Sequence, residues 1–202
     1  MKKRFLPITI LVFLITSFSL AFHLDEPSKE GLLEITSKEL KQDESEVAFS
    51  KMMDVLTHKR YVNCHPSDNI PKQGEDQHVH RFGISRANGM AATNCNTCHQ
   101  ASNNNYSGVP GAPEWSLAPH TMRWEGLSRI EIAKSMMNRE TNGNRTAEDI
   151  MHHLTEHELV LWAWEPGVDA EGNPREIPPV SKEAYIEAVK TWIDLGAVIP
   201  EE

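Results

Sequence analysis

Cysteine is scarce in this chain: three occur in 202 residues, at Cys64, Cys95 and Cys98. Three thiols cannot hold an iron–sulfur cluster that needs four thiolates. Positive charge is also thin, with 20 Lys and Arg against 29 Asp and Glu. A phosphate backbone selects Lys and Arg patches, so nucleic acid is not an expected partner. No βαβ alternation is visible, which removes the usual setting of a thioredoxin-like dithiol. No convincing pair of strands and no long internal repeat can be traced either.

What is present is concentrated around the cysteines. Cys95-Asn96-Thr97-Cys98-His99 is a complete C-x-x-C-H run. In an exported chain that pattern reads as a c-type haem attachment site. Two thiols one helical turn apart each form a thioether to a haem vinyl, and the histidine becomes the proximal iron ligand. An imperfect echo lies upstream in Tyr61-Val62-Asn63-Cys64-His65, where Tyr61 stands in place of the first cysteine. A haem there would have a single thioether, through Cys64, with His65 as proximal ligand. Other readings stay open: zinc completed by His78 and His80 or by His152 and His153, a Cys95–Cys98 disulfide, and an ordinary buried thiol at Cys64.

The start of the chain fits export. Met1-Lys2-Lys3-Arg4 is basic, and residues 5–20 are almost wholly apolar. Ser19-Leu20-Ala21 offers small residues where a signal peptidase reads, so cleavage after Ala21 is expected in preference to an uncleaved membrane anchor. This predicts a signal peptide over 1–21, a periplasmic protein, and no stable membrane insertion after cleavage. Losing Lys2, Lys3 and Arg4 moves the formal charge from −9 to −12. An acidic surface suits a basic docking face on a redox partner, whose identity the sequence does not give.

Residues 22–44 are polar, acidic and without clear periodicity, and read as a flexible acidic arm. Residues 45–58 carry Val47, Phe49, Met52, Met53, Val55 and Leu56, the pattern of a helix with one buried face. Residues 66–94, with Pro66, Pro71, Gly74, Gly83 and Gly89, read as loop, and residues 101–116 as a second loop. Ser128 to Glu131 is a capping-box pattern opening a helix toward Met137. Thr146 opens another, with Glu148 and Asp149 in its first turn. A last helix starts at Ser181 and stops at Gly196. The expectation is an all-α, compact cytochrome c-like domain over 45–202, with long loops wrapped around haem.

An electron-transfer haem usually takes Met or His as its second axial ligand. For the His99 iron the candidate is Met122, with His120 as rival. For the His65 iron the candidates are His78, His80 and Met90. His152, His153 and His157 are further options, although consecutive histidines on a helix face different ways. The five tryptophans, Trp115, Trp124, Trp162, Trp164 and Trp192, all follow the second motif and read as core or as packing for a porphyrin edge.

Several stretches, taken together, carry a family resemblance. They are His58 to Pro66, Gln73-Gly74-Glu75-Asp76, Thr93 to His99 and Gly108-Val109-Pro110-Gly111-Ala112-Pro113. Leu117-Ala118-Pro119, Met122, Trp124-Glu125-Gly126-Leu127 and Leu159 to Trp164 complete the set. About half of the chain resembles the small exported dihaem cytochrome c-like proteins sometimes named isoquinoline 1-oxidoreductase subunits. The resemblance implies two haem c groups, with His80 and Met122 at ligand-type positions. It does not imply isoquinoline oxidation, since no molybdopterin or iron–sulfur signature is present. Tyr61 departs from the family pattern, which has cysteine there.

These readings converge on a periplasmic c-type cytochrome with one or two covalent haems, more an electron-transfer protein or redox subunit than a stand-alone enzyme. One alternative is a haem enzyme or gas sensor with an open five-coordinate iron. The other is an exported binding protein stabilised by zinc.

Overall fold

The computed structural model describes residues 29–86 and 95–201. The expected signal peptide, residues 22–28 of the arm and the candidate ligand Met90 lie outside the described residues.

The first helix, α1 (Lys29–Leu56), begins well before Ser45. Residues 33–44 of it are exposed, and burial starts at Ser45. The stretch expected to be a loose arm is therefore helical from Lys29 onward. Its polar, acidic composition matches an exposed helix surface, which shows no apolar stripe because residues 33–44 bury no face among the described residues. Beyond Ser45 the apolar positions take over, and Met52, Met53, Val55 and Leu56 are fully buried.

A short turn leads to α2 (Lys59–Val62), whose first turn is capped by the His58 ring accepting from the Arg60 amide. Two-residue strands β1 (Lys72–Gln73) and β2 (His78–Val79) then pair antiparallel. The turn joining them uses positive φ at Gly74 (78°) and Gln77 (56°).

Three helices follow with hydroxyl caps where the sequence places them. Ser128 and Glu131 bond reciprocally to open α3 (Arg129–Met137), and Thr146 and Asp149 do the same for α4 (Ala147–Glu156). Satisfying the otherwise free amides of a helix start is worth about 1 kcal/mol. One-turn α5 (Glu158–Leu161) follows, and Ser181 caps α6 (Lys182–Asp194), which Gly196 ends at φ 95°.

The main helical interface is α1 against α6, with Phe49 and Trp192 at 5.9 Å between ring centres. Tyr185, Val189 and Trp192 of α6 are fully buried there, and α4 packs on the same helix.

The expectation of an all-α, cytochrome c-like domain is corrected by this architecture. The chain is mostly helical, with six helices and one small antiparallel ribbon among the described residues, and it is not plainly a cytochrome-type helical fold. The ribbon falls inside 66–94, read from sequence as loop. Strands of two residues are too short to show the alternation by which a strand is recognised.

Candidate functional site

The two histidine motifs end up in matching settings. Around the first, the helical turn continues past α2: the Cys64 amide bonds the Tyr61 carbonyl (2.9 Å) and the His65 amide bonds the Val62 carbonyl (2.9 Å). The segment 118–125 is stitched onto this turn by backbone. Ala118 donates to the Cys64 carbonyl (3.1 Å), and Trp124 and Glu125 both donate to the His65 carbonyl (3.0 and 3.1 Å). That stitching brings the Met122 carbonyl to 2.7 Å from His65 Nδ1. It also lays the Trp124 indole flat on the imidazole, 3.7 Å between centres and 10° between planes.

The second motif repeats the device. Cys95–Thr97 forms a tight helical turn, and the His99 amide closes on the Cys95 carbonyl at 2.9 Å. His99 Nδ1 lies 2.7 Å from the Pro110 carbonyl, and Trp115 stacks on the ring at 4.5 Å and 9°. In both motifs Nδ1 donates to a backbone carbonyl, so the lone pair sits on Nε2. This is the arrangement in which a histidine binds a metal, since the second-shell acceptor fixes both tautomer and ring orientation.

The loop that carries Pro110 is held by protein contacts. Asn103 Oδ1 accepts from the Gly111 amide (3.0 Å) and from Trp162 Nε1 (2.8 Å), while its amide nitrogen donates to the Glu165 carbonyl (2.7 Å). A Cβ on Gly111 would stand 2.3 Å from the Gln100 and Ser102 carbonyl oxygens, so only glycine fits this approach.

A cavity of about 360 Å³ adjoins the first motif, a size typical of small-molecule sites. Cys64, His65, Tyr61, Met122, Trp124, His153, His157 and Trp162 are among the residues that line it. Burial pushes the Cys64 thiol up to about 11, with nearby Cys95 adding to the rise and Arg60 opposing it. Burial likewise pulls His65 down to about 4, against the bond to Met122, and neighbouring His153 adds to the fall. His153 is itself held at about 4, by burial first and by His157 and Arg145 after it. Both rings are neutral at pH 7 and have a nitrogen lone pair to offer.

Tyr61 is buried, and its hydroxyl donates to the Val160 carbonyl at 3.0 Å. The position where the echo motif lacks its cysteine is thus filled by a packed ring bonded to the chain after α4.

The candidate second ligands are redistributed. His80, considered for the His65 iron, lies beside His99 with 6.0 Å between ring centres, and its Nδ1 is taken by the Arg81 carbonyl at 2.7 Å. Met122, considered for the His99 iron, lies beside His65 and contacts it through its carbonyl. His78 has both ring nitrogens engaged, by Asp76 (2.6 Å) and Gln73 (3.0 Å). His120 is exposed, and His152 is exposed and paired with Glu156 at 3.2 Å.

The donor set can accommodate a haem iron: each motif histidine is fixed through Nδ1 and leaves Nε2 free, and a second imidazole, His80, lies 6.0 Å from His99 between ring centres. Arg86 Nε and Nη2 and Trp124 Nε1 are buried without a hydrogen-bond partner among the described residues. Orphaned buried donors need an acceptor, and the propionate carboxylates of a haem are acceptors. A closed zinc site lacks such support: no group of three or more His, Cys, Asp or Glu converges among the described residues, where zinc wants about four ligands.

Sequence reasoning missed the two carbonyl acceptors and Arg86, whose Nη1 donates to the Ala118 carbonyl while Nε and Nη2 have no partner among the described residues. A backbone oxygen has no residue signature, and the tryptophans, read as core or porphyrin-edge packing, gave no sign that two of them stack on the motif histidines. Comparison with protein families, with curated proteins and with solved structures finds no match for this chain.

Proposed function

We propose that this chain is an exported c-type haem protein that passes single electrons. Haem would attach to Cys95 and Cys98 through two thioethers and to Cys64 through one. The observation that carries the reading is the His80–His99 pair, 6.0 Å apart with each Nδ1 tied to a carbonyl. When bound, haem supplies one-electron redox chemistry. His99 and His80 would hold the iron of the second site, and a bis-histidine set favours a lower potential than His/Met. Trp115 and Trp124 keep the two proximal rings from turning. Arg86 and Trp124 present donors for carboxylates. The resemblance to small dihaem proteins and the leader of residues 1–21 belong to the same reading, which places the protein in the periplasm.

The test is the intact mass of protein matured with a haem c attachment system, taken beside its oxidised-minus-reduced spectrum. Wild type is expected to carry two covalent haems, and Cys95→Ala with Cys98→Ala to carry one fewer. An exported, processed chain without covalent haem would overturn the proposal.

A further inference from the structure

Resting on that reading, we infer that His153 is the second axial ligand of the iron at the Cys64–His65 site. Cys64, His65 and His153 line one cavity, and α4 turns Ile150, His153 and Leu154 toward it, with His157 following just past the helix end. That spacing of three and four residues is one helix face. The His153 ring makes no hydrogen bond among the described residues, and its nitrogens are not among the covered, orphaned atoms. It is an unclaimed donor open beside the proximal histidine.

The other residues near His65 are poorly placed for the same role. Met122 holds His65 Nδ1 with its own carbonyl at 2.7 Å, on the side of the ring away from Nε2. A second axial ligand must lie beyond the metal from Nε2. One methionine side chain is too short to reach around both the imidazole and the metal from that carbonyl. Its sulfur instead rests 4.0 Å from Ser135 Oγ on α3. His157 gives Nε2 to the Glu114 carboxylate at 3.0 Å, and its Nδ1 is covered. His157 packs on the His153 ring at 4.9 Å and positions it.

The experiment uses the full matured protein and reads haem count by mass, low-spin signals by electron paramagnetic resonance, and carbon monoxide binding after reduction. Wild type is expected to show two low-spin haems and no carbon monoxide adduct. His153→Gly should keep both haems, lose one low-spin signal and bind carbon monoxide at one haem, with added imidazole restoring the signal. His153→Met should keep that haem six-coordinate and raise its potential, which gives an independent readout if the glycine variant folds poorly. Met122→Ala should leave both signals in place. The inference is overturned if His153→Gly retains both signals, if wild type already binds carbon monoxide, or if Met122→Ala or His157→Ala removes the signal instead. Absence of haem on Cys64 in wild type is a separate outcome, visible in the mass alone, and it defeats the two-haem reading itself.

Discussion

Replacing Gly111 with alanine tests whether the proximal clamp on His99 depends on close backbone packing. The added Cβ would lie 2.3 Å from two carbonyl oxygens, where ordinary contact begins at 3.4 Å, so the chain must move by about 1 Å. Both oxygens are backbone and cannot rotate away. Pro110, the adjoining residue, accepts from His99 at 2.7 Å, and the same displacement would stretch that bond to roughly 3.7 Å, outside hydrogen-bonding range. Overpacking of this kind costs about 1–3 kcal/mol, and losing the bond adds about 1 kcal/mol. Urea denaturation of the purified protein should therefore show a loss of about 2–4 kcal/mol. The His99 ring resonances should shift in the same variant. A stability within about 0.5 kcal/mol of wild type, together with unmoved ring resonances, would refute the packing argument.

Two other expectations follow from the first motif. In the chain produced without haem, folded His65 sits at about 4 against 6.5 for a free histidine, so the unfolded state holds more protons between those values. Stability is then full above about pH 6.5 and falls as the pH drops toward 4, by on the order of 3 kcal/mol from His65 alone; denaturation midpoints between pH 7 and 4 should flatten in His65→Gln, and an unchanged slope would count against a neutral buried ring. Tyr61→Cys removes a buried ring and its bond to Val160, at a cost of about 3 kcal/mol or more. In matured protein it should also abolish the red-shifted pyridine haemochrome of a single-thioether haem without adding a haem, and a persistent red shift would mean that the introduced thiol cannot reach the second vinyl.

Much of the helical frame could be read in advance because its signals are local. Ser128, Thr146 and Ser181 mark helix starts through hydrogen bonds that span three residues, and Gly196 marks a stop through its positive φ. The ribbon at Lys72–Gln73 and His78–Val79 could not be read, since two residues do not establish a period. The exposed part of α1 escaped for the opposite reason, as a helix with no buried face has no stripe. At the site, Cys64, His65, Cys95, Cys98 and His99 were visible as a motif and its echo. The exchange of His80 and Met122 between the two motifs was not, because it depends on backbone bonds such as Ala118 to Cys64 that fold one loop over another.

The clamps on His65 and His99 end on main-chain oxygens, at Met122 and Pro110. Every amino acid brings the same carbonyl, so substitution at either position changes the side chain and leaves the acceptor in place. Residue 122 is thereby released from the task of orienting its neighbour through its side chain and need only fill its buried place with an apolar group of similar volume. Gly111 has no such freedom, because the loop's path depends on the absence of a Cβ. Over evolutionary time the tolerance of this site for change should follow backbone geometry, with more drift at residues 110 and 122, which act through their carbonyls, than at Gly111.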